Sequence, residues 1–101
     1  MAERRYLLVH WTDRSLSDSL AIKEYLEEKF SQREVDNFYD LLHAFENIVL
    51  SFPKLYPKSI KNKKTHRAVL SKQLSVFYTL SKDQIVIVAV LDNRMSYTKW
   101  P

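Results

Sequence analysis

The chain contains no cysteine and no glycine, and only three of its 101 residues are proline. Each shortage excludes a class of chemistry. Without cysteine there is no disulfide framework and no thiolate nucleophile, and a cytoplasmic setting is expected. Without glycine there is no Walker-type or dinucleotide-binding loop, because both need close backbone approach to phosphate. Few prolines and 46% hydrophobic residues indicate a folded domain, not a disordered one. No apolar run approaches the roughly 20 residues of a membrane helix, so no membrane role is expected. The opening "AERR" and the strand-like run after it lack the apolar core of a signal peptide. His10, His43 and His66 are isolated from one another and no HExxH occurs, so neither a metal nor any other cofactor is expected.

What is present is a single small domain with divided charge. Residues 1–52 carry six Lys/Arg against ten Asp/Glu, a balance of −4. Residues 53–101 carry ten against two, a balance of +8. A patch of one sign attracts polyanions or an acidic protein segment.

The hydrophobic pattern predicts the order β-α-α-β-β-β. "RRYLLVHW" at 4–11 reads as a first strand. Ser15 and Asp18 have capping-box spacing and predict a helix over about 15–30, with Leu16, Leu20, Ile22, Leu26 and Phe30 on one stripe. Ser31 and Glu34 form a second capping box. The helix after it places Val35, Phe38, Leu42, Phe45, Val49 and Phe52 at alternating steps of three and four, and Pro53 ends it. Almost no loop separates the two helices, so a hairpin is expected. The basic connector "PKLYPKSIKNKKTHR" follows, with six cations and no acid. Strands are predicted over 66–71, 74–80 and 84–91. The last, "QIVIVAVL", is apolar on both faces and should be the central one. The expected fold is α+β, with the helical hairpin packed on a small, mainly antiparallel sheet.

Four groups of residues are candidates for function. Lys58, Lys61, Lys63 and Lys64 can meet phosphates as point charges or face an acidic protein; a solvated loop is the plainer use of such a run. His66 beside Arg67 is a candidate acid or base. Arg94, just past the central strand, can hold a phosphate or carboxylate by a bidentate contact, unless Asp92 takes it as a local ion pair. Tyr97 and Trp100, with Lys99 between them, can stack on bases, and Tyr97 can move a proton. Equally, the two aromatics can anchor the end of the chain. His10 and His43 read as structural or surface residues. No Ser-His-Asp arrangement or carboxylate pair is assigned.

The order of elements, "FPKLYPKS" after the second helix, the hairpin "HRAVLSKQLSVFYTL" and the closing "IVIVAVLDNR" together resemble the RelE/ParE superfamily of bacterial toxins. They are most similar to the ParE-type, plasmid-stabilisation subgroup. The resemblance covers nearly the whole chain. It implies a growth-inhibiting toxin neutralised by a cognate antitoxin. RelE-like members cleave mRNA on the ribosome without metal, and the resemblance would give Arg67, Arg94 and Tyr97 the catalytic roles. ParE-like members share the fold and poison DNA gyrase; for them Lys58, Lys61, Lys63, Lys64, His66, Arg67, Arg94, Lys99 and Trp100 form the expected binding surface. RelE-like nucleases often carry an arginine in the "VFY" strand, where this chain has Ser75. That departure favours the gyrase-binding reading. A ribosome-dependent endoribonuclease is the alternative, and a non-toxic protein-binding module is the third.

Overall fold

The structure, a computed structural model, describes residues 8–95 and Pro101. Its elements are β1 (Leu8–Trp11), α1 (Asp13–Lys29), α2 (Gln32–Ser51), β2 (His66–Val69), β3 (Leu74–Ser81) and β4 (Gln84–Asp92). The sheet order is β1-β4-β3-β2. β1 runs parallel to β4, and the other pairings are antiparallel. The apolar "IVIVAVL" run therefore lies in one of the two inner strands, with a neighbour on each side. Of the expected first strand, residues 4–7 lie outside the described residues.

Thr12, not Ser15, caps α1: its hydroxyl accepts from the Ser15 backbone N–H at 3.1 Å. The expected Ser15–Asp18 box is corrected accordingly. Thr12 is also a favoured cap residue and stands about one helical turn earlier. Asp18 has another use. Its carboxylate accepts the Val90 N–H at 3.0 Å, beyond the point where β1 stops pairing with β4. The covered face of α1 also differs from the predicted stripe. Ser15, Ser19, Ile22 and Leu26 are buried, whereas Leu16, Leu20 and Phe30 are about half exposed. Two small serines let α1 lie close to the sheet where leucines would hold it away.

α2 follows its pattern closely. Val35, Phe38, Leu42, Phe45 and Val49 are all buried, and each burial contributes roughly 1.5–3 kcal/mol. Phe52, at the helix end, is the exception at 64% exposure. Ser31 is the N-cap but makes no side-chain cap bond, and Glu34 turns to Arg94. Only Phe30 and Ser31 separate the helices.

Both helices cover one face of the sheet. Ala68, Leu74, Val76, Tyr78, Ile85, Ile87 and Val90 meet them in a single core. A bulge between Phe77 and Tyr78 leaves Val88 as an extra residue on β4, so Ile87 and Val90 both face inward. The turn from β3 to β4 has no glycine to use, and Lys82 takes the left-handed region at φ 47°. For a residue with a Cβ this costs roughly 1–2 kcal/mol.

Candidate functional site

Arg94 and the connector lysines lie at opposite ends of β3. At the Leu74 end, β3 pairs with Asp92, and Arg94 lies just beyond. The Arg94 guanidinium donates to both Asp92 carboxylate oxygens, from Nε at 3.0 Å and Nη2 at 2.7 Å. Its Nη1 donates to Glu34 at 2.8 Å. The group also lies 5.0 Å from the centre of the Phe30 ring, and the Arg94 carbonyl accepts from the Tyr25 hydroxyl at 2.9 Å. Hydrogen bonds to Asp92 and then Glu34 hold the Arg94 pKa above even its ordinary high value, against the opposing pull of burial. This is the local ion pair that Asp92 made available, extended by a second carboxylate. A small polar cavity of about 30 Å³ sits beside it, with Glu34, Asp92 and Arg94 in its wall.

At the other end, the connector folds back on β2. Arg67 N–H donates to the Pro57 carbonyl at 2.8 Å, Ser59 N–H to Thr65 at 2.6 Å, and Lys58 forms a bridge with His66. Tyr56 packs on Phe45 and Tyr78, and the buried Tyr78 hydroxyl donates to the Pro53 carbonyl at 2.8 Å. Burial pushes the Tyr78 and Tyr56 pKa values up. These contacts fix the lysines around an open groove of about 570 Å³, lined by Lys54, Lys58, Lys63, Lys64, His66, Thr79 and Leu80. Among the described residues none of those four lysines makes an ion pair. Lys61 is exposed in the same loop but does not line the groove.

His66 is 9% exposed and stacks on Tyr78, with ring centres 5.0 Å apart and planes 13° apart. Its Nδ1 lies 2.8 Å from the Tyr56 carbonyl, which can only accept, so Nδ1 carries a proton.

His66 and Arg67 are neighbours in sequence but leave β2 on opposite faces. His66 joins the helix side with Tyr78. Arg67 stands on the other side, where its Nη2 donates to Ser75 Oγ at 3.3 Å. His66 and Arg67 therefore do not share one site, although they are adjacent in sequence. The structure brings Lys58, Lys63, Lys64 and His66 together and keeps Arg67 and Arg94 apart from them. Tyr97, Lys99 and Trp100 lie outside the described residues. Sequence reasoning missed Glu34, Phe30 and Tyr25 as partners of Arg94, and Thr79 and Leu80 as groove residues. The Ser31–Glu34 spacing did mark Glu34, but for a cap. Among the described residues no cluster of His, Asp and Glu suits a metal ion.

A family model described as the ParE toxin of the type II toxin–antitoxin system parDE matches residues 9–97. The chain belongs to the ParE toxin family. No sequence among the curated proteins matches this ParE-family chain. Among solved structures, the chromosomal ParDE toxin–antitoxin system from P. aeruginosa superposes with a TM-score of 0.73 at 10% identity, covering 86% of this chain and 96% of that one. YafQ from E. coli strain BL21(DE3) superposes with a TM-score of 0.49 at 15% identity, covering 85% and 92%. At such identities the P. aeruginosa match speaks for the fold, two helices on a four-stranded mixed sheet. As a ParE-family member this chain is a type II toxin, and its system implies a cognate antitoxin partner. Among the described residues no helix is long and apolar enough to cross a membrane.

Proposed function

We propose that this toxin acts by binding its target, not by catalysis, and that the target is DNA gyrase in the cytoplasm. One observation carries this reading: among the described residues, the side chains a metal-independent RNA cut would use are dispersed. Such a cut needs a proton acceptor, a proton donor and a cation on the strained phosphate within one site. Arg94 already has two carboxylates on its guanidinium. Arg67 is on the far face of the sheet from His66, and Ser75 stands where a further cation would be wanted. A binding protein needs none of these together. It needs an accessible surface of consistent charge, and Lys58, Lys63 and Lys64, with Lys61 beside them, provide one. Lys99 and Trp100 are proposed as further target contacts, and Tyr97 has no catalytic role in this reading.

The test is a supercoiling assay with purified toxin and gyrase, run beside a translation extract programmed with a defined mRNA. Inhibited supercoiling with intact mRNA is the expected result. Intact gyrase activity with ribosome-dependent mRNA cuts would overturn the proposal in favour of the endoribonuclease. A folded chain with no effect on either assay or on growth would identify a non-toxic binding module.

A further inference from the structure

β2 stops pairing with β3 at His66–Tyr78, but β3 continues to Ser81 on β4 alone. Among the described residues, the sheet therefore has a notch beside 79–81, where β2 would have continued. The connector walls that notch, and together they form the groove of about 570 Å³. Its volume falls within the roughly 300–1,000 Å³ of small-molecule sites. The loop that carries three of its lysines is pinned. Ser59 N–H donates to the Thr65 carbonyl, Thr65 N–H to the Asn62 carbonyl at 3.0 Å, and Lys64 N–H to Asn62 Oδ1 at 3.0 Å. Ser59 and Thr65 are themselves buried. Lys54, Lys58, Lys63 and Lys64 are thus held around one groove, with no carboxylate in its wall. None of the four makes an ion pair among the described residues. Like charges held close repel one another, and one anion carrying several charges relieves all of that repulsion together.

We propose that this groove binds a short phosphate chain, of the kind carried by a nucleoside triphosphate or by inorganic polyphosphate. Three features favour that ligand. The cations are lysines, whose compact ammonium meets a tetrahedral phosphate as a point charge and needs no shared plane, unlike the fork of arginine. Adjacent phosphates share a bridging oxygen, so their charges stand close enough to serve several lysines of one small groove. Carboxylates on one face of an extended peptide recur only at every second residue, about 6.6 Å apart. The groove is also lined by Thr79 and Leu80, which are only partly exposed. A duplex shows its phosphates on a convex surface and would meet the exposed lysines without reaching those two. The Thr79 hydroxyl can donate to a phosphate oxygen. Leu80 gives an apolar wall that a nucleobase can use and an inorganic chain cannot. A phosphate chain in this groove would compete with the toxin's target for the same lysines. That consequence rests on the target-binding reading above; the ligand site itself does not.

The probes are inorganic tripolyphosphate and ATP, each titrated calorimetrically into the full chain without magnesium. Saturable one-to-one binding of at least one is expected, weakened about tenfold or more by Lys58→Gln with Lys63→Gln and Lys64→Gln at an unchanged unfolding midpoint. ATP binding well above tripolyphosphate would name the nucleotide as the source of the chain, and the reverse order would name the inorganic polymer. Lys61→Gln removes a charge from the same loop outside the groove, and it should leave affinity within about twofold, whereas Lys63→Gln alone should weaken it more. Amide resonances of Thr79 and Leu80 should shift on titration. Absence of saturable binding by both probes, an equal loss in Lys61→Gln and Lys63→Gln, or tighter binding of a glutamate peptide or a DNA duplex of equal charge would each overturn the proposal. Because the titration contains no gyrase, a failed supercoiling assay would remove the competition with the target and leave this result standing.

Discussion

Arg94 and the connector lysines are all cations from the basic half of the chain, and the fold treats them oppositely. Arg94 is enclosed: its side chain is 23% exposed, and it bridges Asp92, at 0%, to Glu34 on α2. It ties the helical hairpin to the end of the central strand. The groove lysines are carried on a loop held by Tyr56, Tyr78 and Pro53, and their ammonium groups face solvent. Charge enclosed with its counter-charges sets the shape; charge left open is available to a partner. Sequence cannot separate the two uses, because a single lysine or arginine looks the same in both.

The sharpest way to break this contrast is Arg94→Ala. It leaves Asp92 buried without its partner, and a loss of about 3 kcal/mol is expected, measured as a lowered urea midpoint. Unchanged stability would show that Arg94 is not the clasp described above. Tyr78→Phe probes the support beneath the groove. Losing the bond to the Pro53 carbonyl should cost about 1 kcal/mol near neutrality. It should also alter alkaline unfolding. Burial raises the Tyr78 pKa above the 10.0 of an exposed tyrosine, so the folded state favours the neutral phenol. The stability this contributes is fully present below about pH 10 and is lost as pH rises further, because the unfolded chain gives up its proton first. Wild-type unfolding free energy should therefore fall above about pH 10, and Tyr78→Phe should flatten that fall. An identical slope in the variant would remove Tyr78 as its source.

Glu34→Gln is gentler. Asp92 keeps its two-point hold on Arg94, and Glu34 is more than a third exposed, so solvent already weakens the pair. A loss of about 0.5 kcal/mol is expected by chemical denaturation. A loss as large as that of Arg94→Ala would shift the weight of the clasp to α2. Smallest of all should be Lys58→Gln with Lys63→Gln and Lys64→Gln, within about 0.5 kcal/mol of wild type. A calorimetric midpoint lowered by many degrees would mean that the groove lysines also hold the fold, and the contrast would collapse.

Periodicity made α2 and the central strand readable, because a helix face or a two-sided strand repeats its apolar residues at a spacing that few alternatives share. α1 was less readable. Its leucines sit at helical spacing, yet Ser15 and Ser19 take the buried positions because close approach to the sheet selects small side chains. The lysines of the candidate site were legible as a run. Their meeting with Thr79 and Leu80 was not, since it depends on how far β3 outruns β2.

Composition and pattern alone determined the class of molecule: an α+β fold without cysteine or glycine, acidic in its first half and basic in its second. These are local properties, fixed by residue type and spacing. The tertiary structure decided which cations are spent inside the protein and which remain outside. It placed Glu34 against Arg94 across 60 positions of sequence and sent His66 and Arg67 to opposite faces of one strand. Such choices arise from pairing register and helix docking, which depend on contacts between distant segments.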